Sequence, residues 1–276
     1  MDLGLKGRVA VVAGGTSGIG LACAKEFAAE GAHVAVCGRD PDRLADAERE
    51  LARVATGRVS VAGVDLTDTA AAARWIDRVA ADLGGLHVLL VGGGSPPIGT
   101  ATAFGPDDYR AAVDRVLLPA VGLSLAALPH LRAAGWGRLL LVASETACVP
   151  IPPLVLSGIT RAALVRFAQG LAVDVGRDGI TVNVLAPGGV RTPPMERAAA
   201  RLAGEDGDVE ARLRAMGHHS ALGRLARPEE VAAVAAFLAS ERASYVTAGV
   251  HLIDGGAGVT GPDLPHLTGV RTDTYA

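Results

Sequence analysis

Lysine is nearly absent from this chain: Lys6 and Lys25 are the only two among 276 residues, and arginine carries the other basic positions. Chemistry that needs a lysine late in the chain is therefore excluded, unless one of these two reaches the site. Cysteine is also scarce. Cys23, Cys37 and Cys148 are odd in number and unrelated in spacing, which argues against a disulfide framework and for a reducing compartment. Tyrosine occurs only at Tyr109, Tyr245 and Tyr275. A net charge of −3 gives no reason to expect nucleic acid or an acidic membrane surface as partner. There is no basic N-terminal stretch leading into an apolar signal core, and no uninterrupted apolar run long enough to span a bilayer. No histidine–cysteine spacing suits a metal ion. The expectation is a cytoplasmic protein that acts on small molecules.

What the chain does have is apolar material, half of its residues, and a strong opening unit. Val9 to Ala13 is a short, continuously apolar strand of the kind buried on both faces of a parallel sheet. Gly14, Gly18 and Gly20 follow, around Thr16 and Ser17, and Ile19 begins a helical apolar stripe that Gly31 closes. A strand, a glycine loop and a helix in that order set unpaired N–H groups and a positive dipole end beside a loop without side chains. That is a phosphate cradle.

Strand and helix patterns then alternate to Ile253: strands at His33–Cys37, Arg58–Val64, His87–Val91, Leu139–Ala143, Thr181–Ala186 and Val250–Ile253, with helices between them. The long helices cover about 106–134, bent at Pro119, and 157–176. This predicts one doubly wound α/β domain over residues 1–260, a seven-stranded parallel sheet with helices on both faces. A mobile helical insertion occupies about 193–222, and residues 261–276 form a tail.

In such a sheet ligands sit outside the carboxyl ends of the strands, at the reversal of strand order. Those ends gather Gly14–Gly20, Arg39, Asp65, Gly92–Gly94, Ser144 and Pro187–Thr192. Arg39 stands where an adenosine ribose would lie, with no acidic residue at Cys37 or Gly38. That favours NADP(H) over NAD(H), because arginine pairs with a 2′-phosphate and a carboxylate would take the 2′-hydroxyl. Asp65 suits an adenine amino group or, equally, a helix entry. Glu145, beside Ser144, is an acid or base if desolvated and otherwise a solvated loop charge.

Ordered motifs make the chain resemble the short-chain dehydrogenase/reductase family to about Gly258. They are GGTSGIG at 14–20, VDLTD at 64–68, LHVLLVGGG at 86–94, GWGRLLLVAS at 135–144, GITVNVLAPGGVRT at 179–192, and RPEEVAAVAAFLAS followed by IDGG. The resemblance implies a Rossmann-type sheet, a nicotinamide cofactor, a small-molecule substrate, and a homodimer or homotetramer built through the two long helices. Carried over, cofactor contacts fall on Gly14, Thr16, Ser17, Gly18, Ile19, Gly20, Arg39, Asp65, Leu66, Gly92, Gly93, Arg161, Pro187, Gly188, Val190 and Thr192.

The catalytic positions depart from the family. Its serine is Ser144, but its tyrosine position is Ser157, its lysine position Arg161 and its asparagine position Val116, and Gly92 lacks the fingerprint asparagine. The chain looks like an atypical, 3-oxoacyl-acyl-carrier-protein-reductase-like subgroup without the standard tetrad. Ser144, Ser157, Arg161 and Glu145 remain as candidates for catalysis. Ser144 would orient the substrate, Arg161 would hold a ribose or substrate oxygen, and Glu145 or water would supply a proton; the Ser157 hydroxyl also suits a helix cap. The expected function is reduction of a carbonyl or imine in a small, largely apolar molecule. The alternatives are a non-redox isomerase, lyase or cyclase in the same pocket, or an inactive cofactor-binding partner.

Overall fold

A computed structural model describes residues 2–204 and 207–260; the tail at 261–276, with Tyr275, lies outside the described residues. Seven parallel strands form one sheet in the order β3-β2-β1-β4-β5-β6-β7. They are β1 (Val9–Ala13), β2 (His33–Gly38), β3 (Val59–Gly63), β4 (Val88–Val91), β5 (Gly137–Val142), β6 (Ile180–Pro187) and β7 (Val250–Ile253). The order reverses between β1 and β4, which opens a crevice above their carboxyl ends.

Helices α1 (Gly18–Ala29) and α2 (Pro41–Ala52) follow the first two strands, and α3 (Thr69–Leu83) and α4 (Pro106–Ala133) flank β4. Helix α5 (Val155–Val175) leads into β6, and α6 (Pro193–Ala203), α7 (Val209–Gly217) and α8 (Pro228–Ala239) separate β6 from β7. On one face of the sheet, Trp75, Ile76, Leu123, Leu131, Leu164 and Leu171 from α3, α4 and α5 pack on the strands. On the other, Phe27, Leu51, Ala235 and Leu238 from α1, α2 and α8 do so. The central strands are mostly apolar because both faces are covered, and burial of each large side chain contributes about 1.5–3 kcal/mol.

Sequence pattern and structure differ at the start of α5. Helix α5 starts two residues earlier than its motif suggests, since Leu156 is drawn into the core and the Gly158 N–H donates to the Leu154 carbonyl at 2.9 Å. Ser157 therefore sits inside the first turn and does not cap the helix. Helix α4 continues through both Pro119 and Pro129. By length and composition alone α4 could cross a bilayer, but it packs on α3, α5, β4 and β5 as a core helix does. The 193–222 stretch contains the helices α6 and α7. Arg191 ties them together, its Nε 3.0 Å from Glu196 and its Nη2 2.6 Å from Glu210.

At the amino ends of the strands the Val9 N–H donates to His87 Nδ1 at 3.0 Å, which requires an unprotonated Nδ1. Burial, and secondarily the Arg8 charge, hold His87 below its ordinary pKa. A depressed folded-state value means its contribution is present above the unfolded value of about 6.5 and is lost as pH falls through the folded one. His87→Asn keeps an acceptor for Val9 and removes the proton site. The melting temperature of the unaltered protein should therefore drop more between pH 7.5 and 5 than that of the variant. Equal drops would show that His87 does not couple to folding.

Candidate functional site

The crevice at the strand reversal is a cleft of about 670 Å³. Gly14, Thr16 and Ser17 floor it, Gly38, Arg39, Asp40 and Arg43 line one end, and Val64 to Thr67 and Gly92 to Gly94 form further walls. Arg115, Val116 and Pro119 of α4 and Arg161 of α5 close the inner side. The glycine loop is packed to backbone contact: a Cβ on Gly14 would stand 2.8 Å from the Gly92 carbonyl oxygen, and one on Gly20 would meet the Gly14 carbonyl. Only glycine lets α1 begin this close to β1. Ser17 is the N-cap position of α1, yet its hydroxyl makes no capping bond to the orphan N–H groups of the first turn. Such a helix end is suited to an anion such as a phosphate.

The acidic groups lining the cleft's outer end, Asp40 and Asp65, accept backbone N–H bonds and lie 3.6 Å from Arg43 and Arg39 respectively. The Asp40 carboxylate accepts from the N–H groups of Asp42 and Arg43, capping α2. Asp65 Oδ1 accepts from the Thr67 N–H at 3.0 Å and hydroxyl at 2.8 Å, bonds that hold its pKa below the usual range; its Oδ2 lies 3.6 Å from Arg39. A side chain on Gly38 would run into Thr16, 2.8 Å from an ideal Cβ. Arg39 is 74% exposed, and its ion pair to Asp65 Oδ2 is a long and solvent-exposed one at 3.6 Å. Arg43, four residues on in the first turn of α2, joins it; the sequence reading missed this residue although the spacing puts both on one side.

The remaining candidates lie around the ends of β5, β6 and β7. Ser144 Oγ accepts from the Thr146 N–H at 3.2 Å, which leaves its proton available. Ser157 Oγ and the buried Thr146 Oγ1 stand 3.2 Å apart. Thr146 was not anticipated, since it lies in a short 3₁₀ turn (Glu145–Ala147) with no pattern of its own. Glu145 points toward β6: its buried Oε2 would lie 3.0 Å from a Cβ on Gly188, beside Asp254, and has no hydrogen-bond partner. Burial, and then the Asp254 charge, push Glu145 up to about 7. Asp254 is fixed as an acceptor by the N–H groups of Gly256 and Gly258, both at 2.9 Å. The loop after Pro187 returns to the glycine loop, where Gly18 packs on the Thr192 methyl and Val190 is buried. Ile19 is the second residue of α1, half-buried against the sheet face that carries α1.

Arg161 is 9% exposed, and its guanidinium donates to three backbone carbonyls: Val142 at 2.8 Å, Gly93 at 3.3 Å and Gly94 at 2.7 Å. Its Nε–H has no partner. Desolvation lowers its pKa to about 10, so it stays charged at neutral pH. Val116 is buried in the cleft wall. Neither Tyr109, which donates to the Ala101 carbonyl, nor the fully exposed Tyr245 approaches these groups.

A family model described as enoyl-(acyl carrier protein) reductase matches residues 13–258. The cis-4-hydroxycyclohexanecarboxylate dehydrogenase of Sinomonas cyclohexanicum is 36% identical over 250 residues, which cover 90% of this chain and 96% of that one. D-β-hydroxybutyrate dehydrogenase of Cupriavidus necator is 31% identical over 256 residues, covering 91% and 98%. The crystal structure of L-sorbose reductase from Gluconobacter frateurii, complexed with NADPH and L-sorbose, is similar at a TM-score of 0.89 and 34% identity, covering 93% and 98%.

Proposed function

The chain belongs to the short-chain dehydrogenase/reductase family of oxidoreductases, and on that premise we propose that it carries out an NADP(H)-dependent reduction of a C=O or C=N group in a small, largely apolar substrate. The observation that carries this reading is the cleft, which joins a glycine loop suited to an anion to an arginine end whose carboxylates, Asp40 and Asp65, accept backbone N–H bonds. The residues present fit such a dinucleotide. The loop Gly14–Gly20, with Thr16, Ser17, Gly18 and Ile19, would hold the pyrophosphate, and Arg39 with Arg43 the 2′-phosphate. Asp65 and Leu66 would border the adenine and Gly92 and Gly93 the adjoining ribose. Pro187, Gly188, Val190 and Thr192 would border the nicotinamide end. When bound, the reduced nicotinamide supplies a hydride equivalent to an electrophilic carbon.

The chain's own groups do the rest. Ser144 offers its free hydroxyl proton to the substrate heteroatom and orients it. Ser157, one carbon long where the family has a phenol, leaves volume for the substrate. A ketone must gain a proton when its carbon is reduced, and Glu145, neutral below about 7, is the acid at hand. A protonated imine already carries that proton, so this site favours C=N over C=O. The exposed Leu118, Leu125, Ile159 and Val173 on α4 and α5 support pairing with a second copy through those helices. The lack of a phenol beside Ser144 among the described residues favours, as a second reading, a non-redox isomerase, lyase or cyclase in the same pocket.

A binding titration tests the cofactor assignment. NADPH should bind more tightly than NADH, by the roughly 1.5–3 kcal/mol of a charge-assisted contact, about ten- to a hundredfold. Arg39→Asp should reverse the order. Equal affinities in the unaltered protein would remove the phosphate role of Arg39.

A further inference from the structure

Three consecutive glycines, Gly92 to Gly94, leave the start of the β4–α4 loop without side chains to anchor it. Gly93 and Gly94 also have left-handed backbones, with φ of 102° and 69°. Such a segment loses more conformational entropy on ordering than any other, so its shape must be imposed from outside. Yet it lines the cleft and is in tight contact with the glycine loop, since a Cβ on Gly14 would stand 2.8 Å from the Gly92 carbonyl oxygen. On its far side Gly94 lies against the Arg115 carbonyl, 2.8 Å from an ideal Cβ. Proline at 119 has no N–H to take up that carbonyl in the helical i+4 bond, which leaves it on the cleft wall.

One side chain spans this loop and the neighbouring strand. Arg161 Nη2 donates to the Gly93 and Gly94 carbonyls while Nη1 donates to Val142, the last residue of β5 and two before Ser144. No carboxylate lies within ion-pair distance of Arg161 among the described residues; carbonyl dipoles alone answer its buried charge. Both of its terminal nitrogens are spent on the protein backbone.

We infer that Arg161 is a positioning residue: a strut whose fork fixes the triple-glycine loop to the end of β5, and so sets the inner wall of the cleft and its register with Ser144. The fork is what the task needs. Two nitrogens on a planar group serve carbonyls on two different segments, whereas a lysine ammonium is a single point on a shorter stem. The charge is structural, and proton relay has no part in it.

The strut has a ligand-free readout and a ligand-dependent one. By amide hydrogen exchange on the full chain, Arg161→Lys and Arg161→Ala should each speed exchange across residues 92–99 at least tenfold. Strands β1 and β2 should keep their protection, which reports that the variants fold. The second readout rests on the cofactor reading above: NADPH affinity should fall about tenfold in both variants, with lysine giving no rescue. Unchanged exchange at 92–99 in both variants would overturn the strut. Full protection with lysine would overturn the need for a fork. If the loop loosens as expected while the unaltered protein binds neither NADPH nor NADH, the strut stands and the cofactor reading fails.

Discussion

Ser157→Tyr should raise the reduction of simple ketones by roughly a hundredfold, the lower end of what a positioned general acid contributes. The first turn of α5 puts residue 157 four residues before Arg161, on the same helix side, and facing the Ser144–Thr146 turn. A phenol there, ordinarily near 10 in pKa, would be drawn down by the fixed guanidinium and could donate where the serine hydroxyl cannot. The same ring would fill the volume that Ser157 leaves open, so turnover of the native substrate should fall. Opposite signs in the two assays are the signature. Adding Arg161→Lys should bring no further gain, because it removes the strut. A folded, NADPH-binding Ser157→Tyr protein that reduces no carbonyl across a broad ketone panel would contradict the reductase reading and promote the non-redox one.

Glu145→Gln should cost about a hundredfold in ketone turnover at pH 6.5 and much less with a preformed iminium. The reason is the buried, unpartnered Oε2 beside Asp254, where burial and like charge keep the carboxyl neutral up to about 7. Activity of the unaltered enzyme on ketones should decline as pH rises through about 7, and the glutamine variant should lack that limb. Stability has the same origin. The folded-state pKa lies above the ordinary 4.5, so the contribution of Glu145 is full below 4.5 and is lost as pH rises through about 7. Glutamine should therefore gain stability relative to glutamate between pH 5 and 8. An unchanged pH–rate profile in the variant would put the proton donor elsewhere.

The sheet was legible because its central strands, buried on both faces, read as short apolar runs between turn residues and helix caps. The cleft was legible for the same reason: strand ends define it, and Gly14, Arg39, Asp65, Gly92 and Arg161 all come to line it. What the pattern could not show was direction. Arg161 matched a family position, but only coordinates reveal that its fork turns to Gly93, Gly94 and Val142. Ser157 matched a helix start, while the burial of Leu156 moved that start upstream and gave its hydroxyl to Thr146. Glu145 read as a loop charge in sequence because its desolvation depends on Gly188 and Asp254, residues that reach it only through β6 and β7. Contacts between distant strand ends leave no periodic trace.

The most direct test is isotope transfer. The unaltered protein would be incubated with NADPH deuterated at C4 and a panel of cyclic imines, ketones and alkenes, and the products analysed by mass spectrometry. The account predicts one deuterium on the former C=N or C=O carbon, with imines converted faster than ketones and NADPH consumed in equal amount. Substrate conversion without deuterium in the product, or with NADPH left intact, would contradict it.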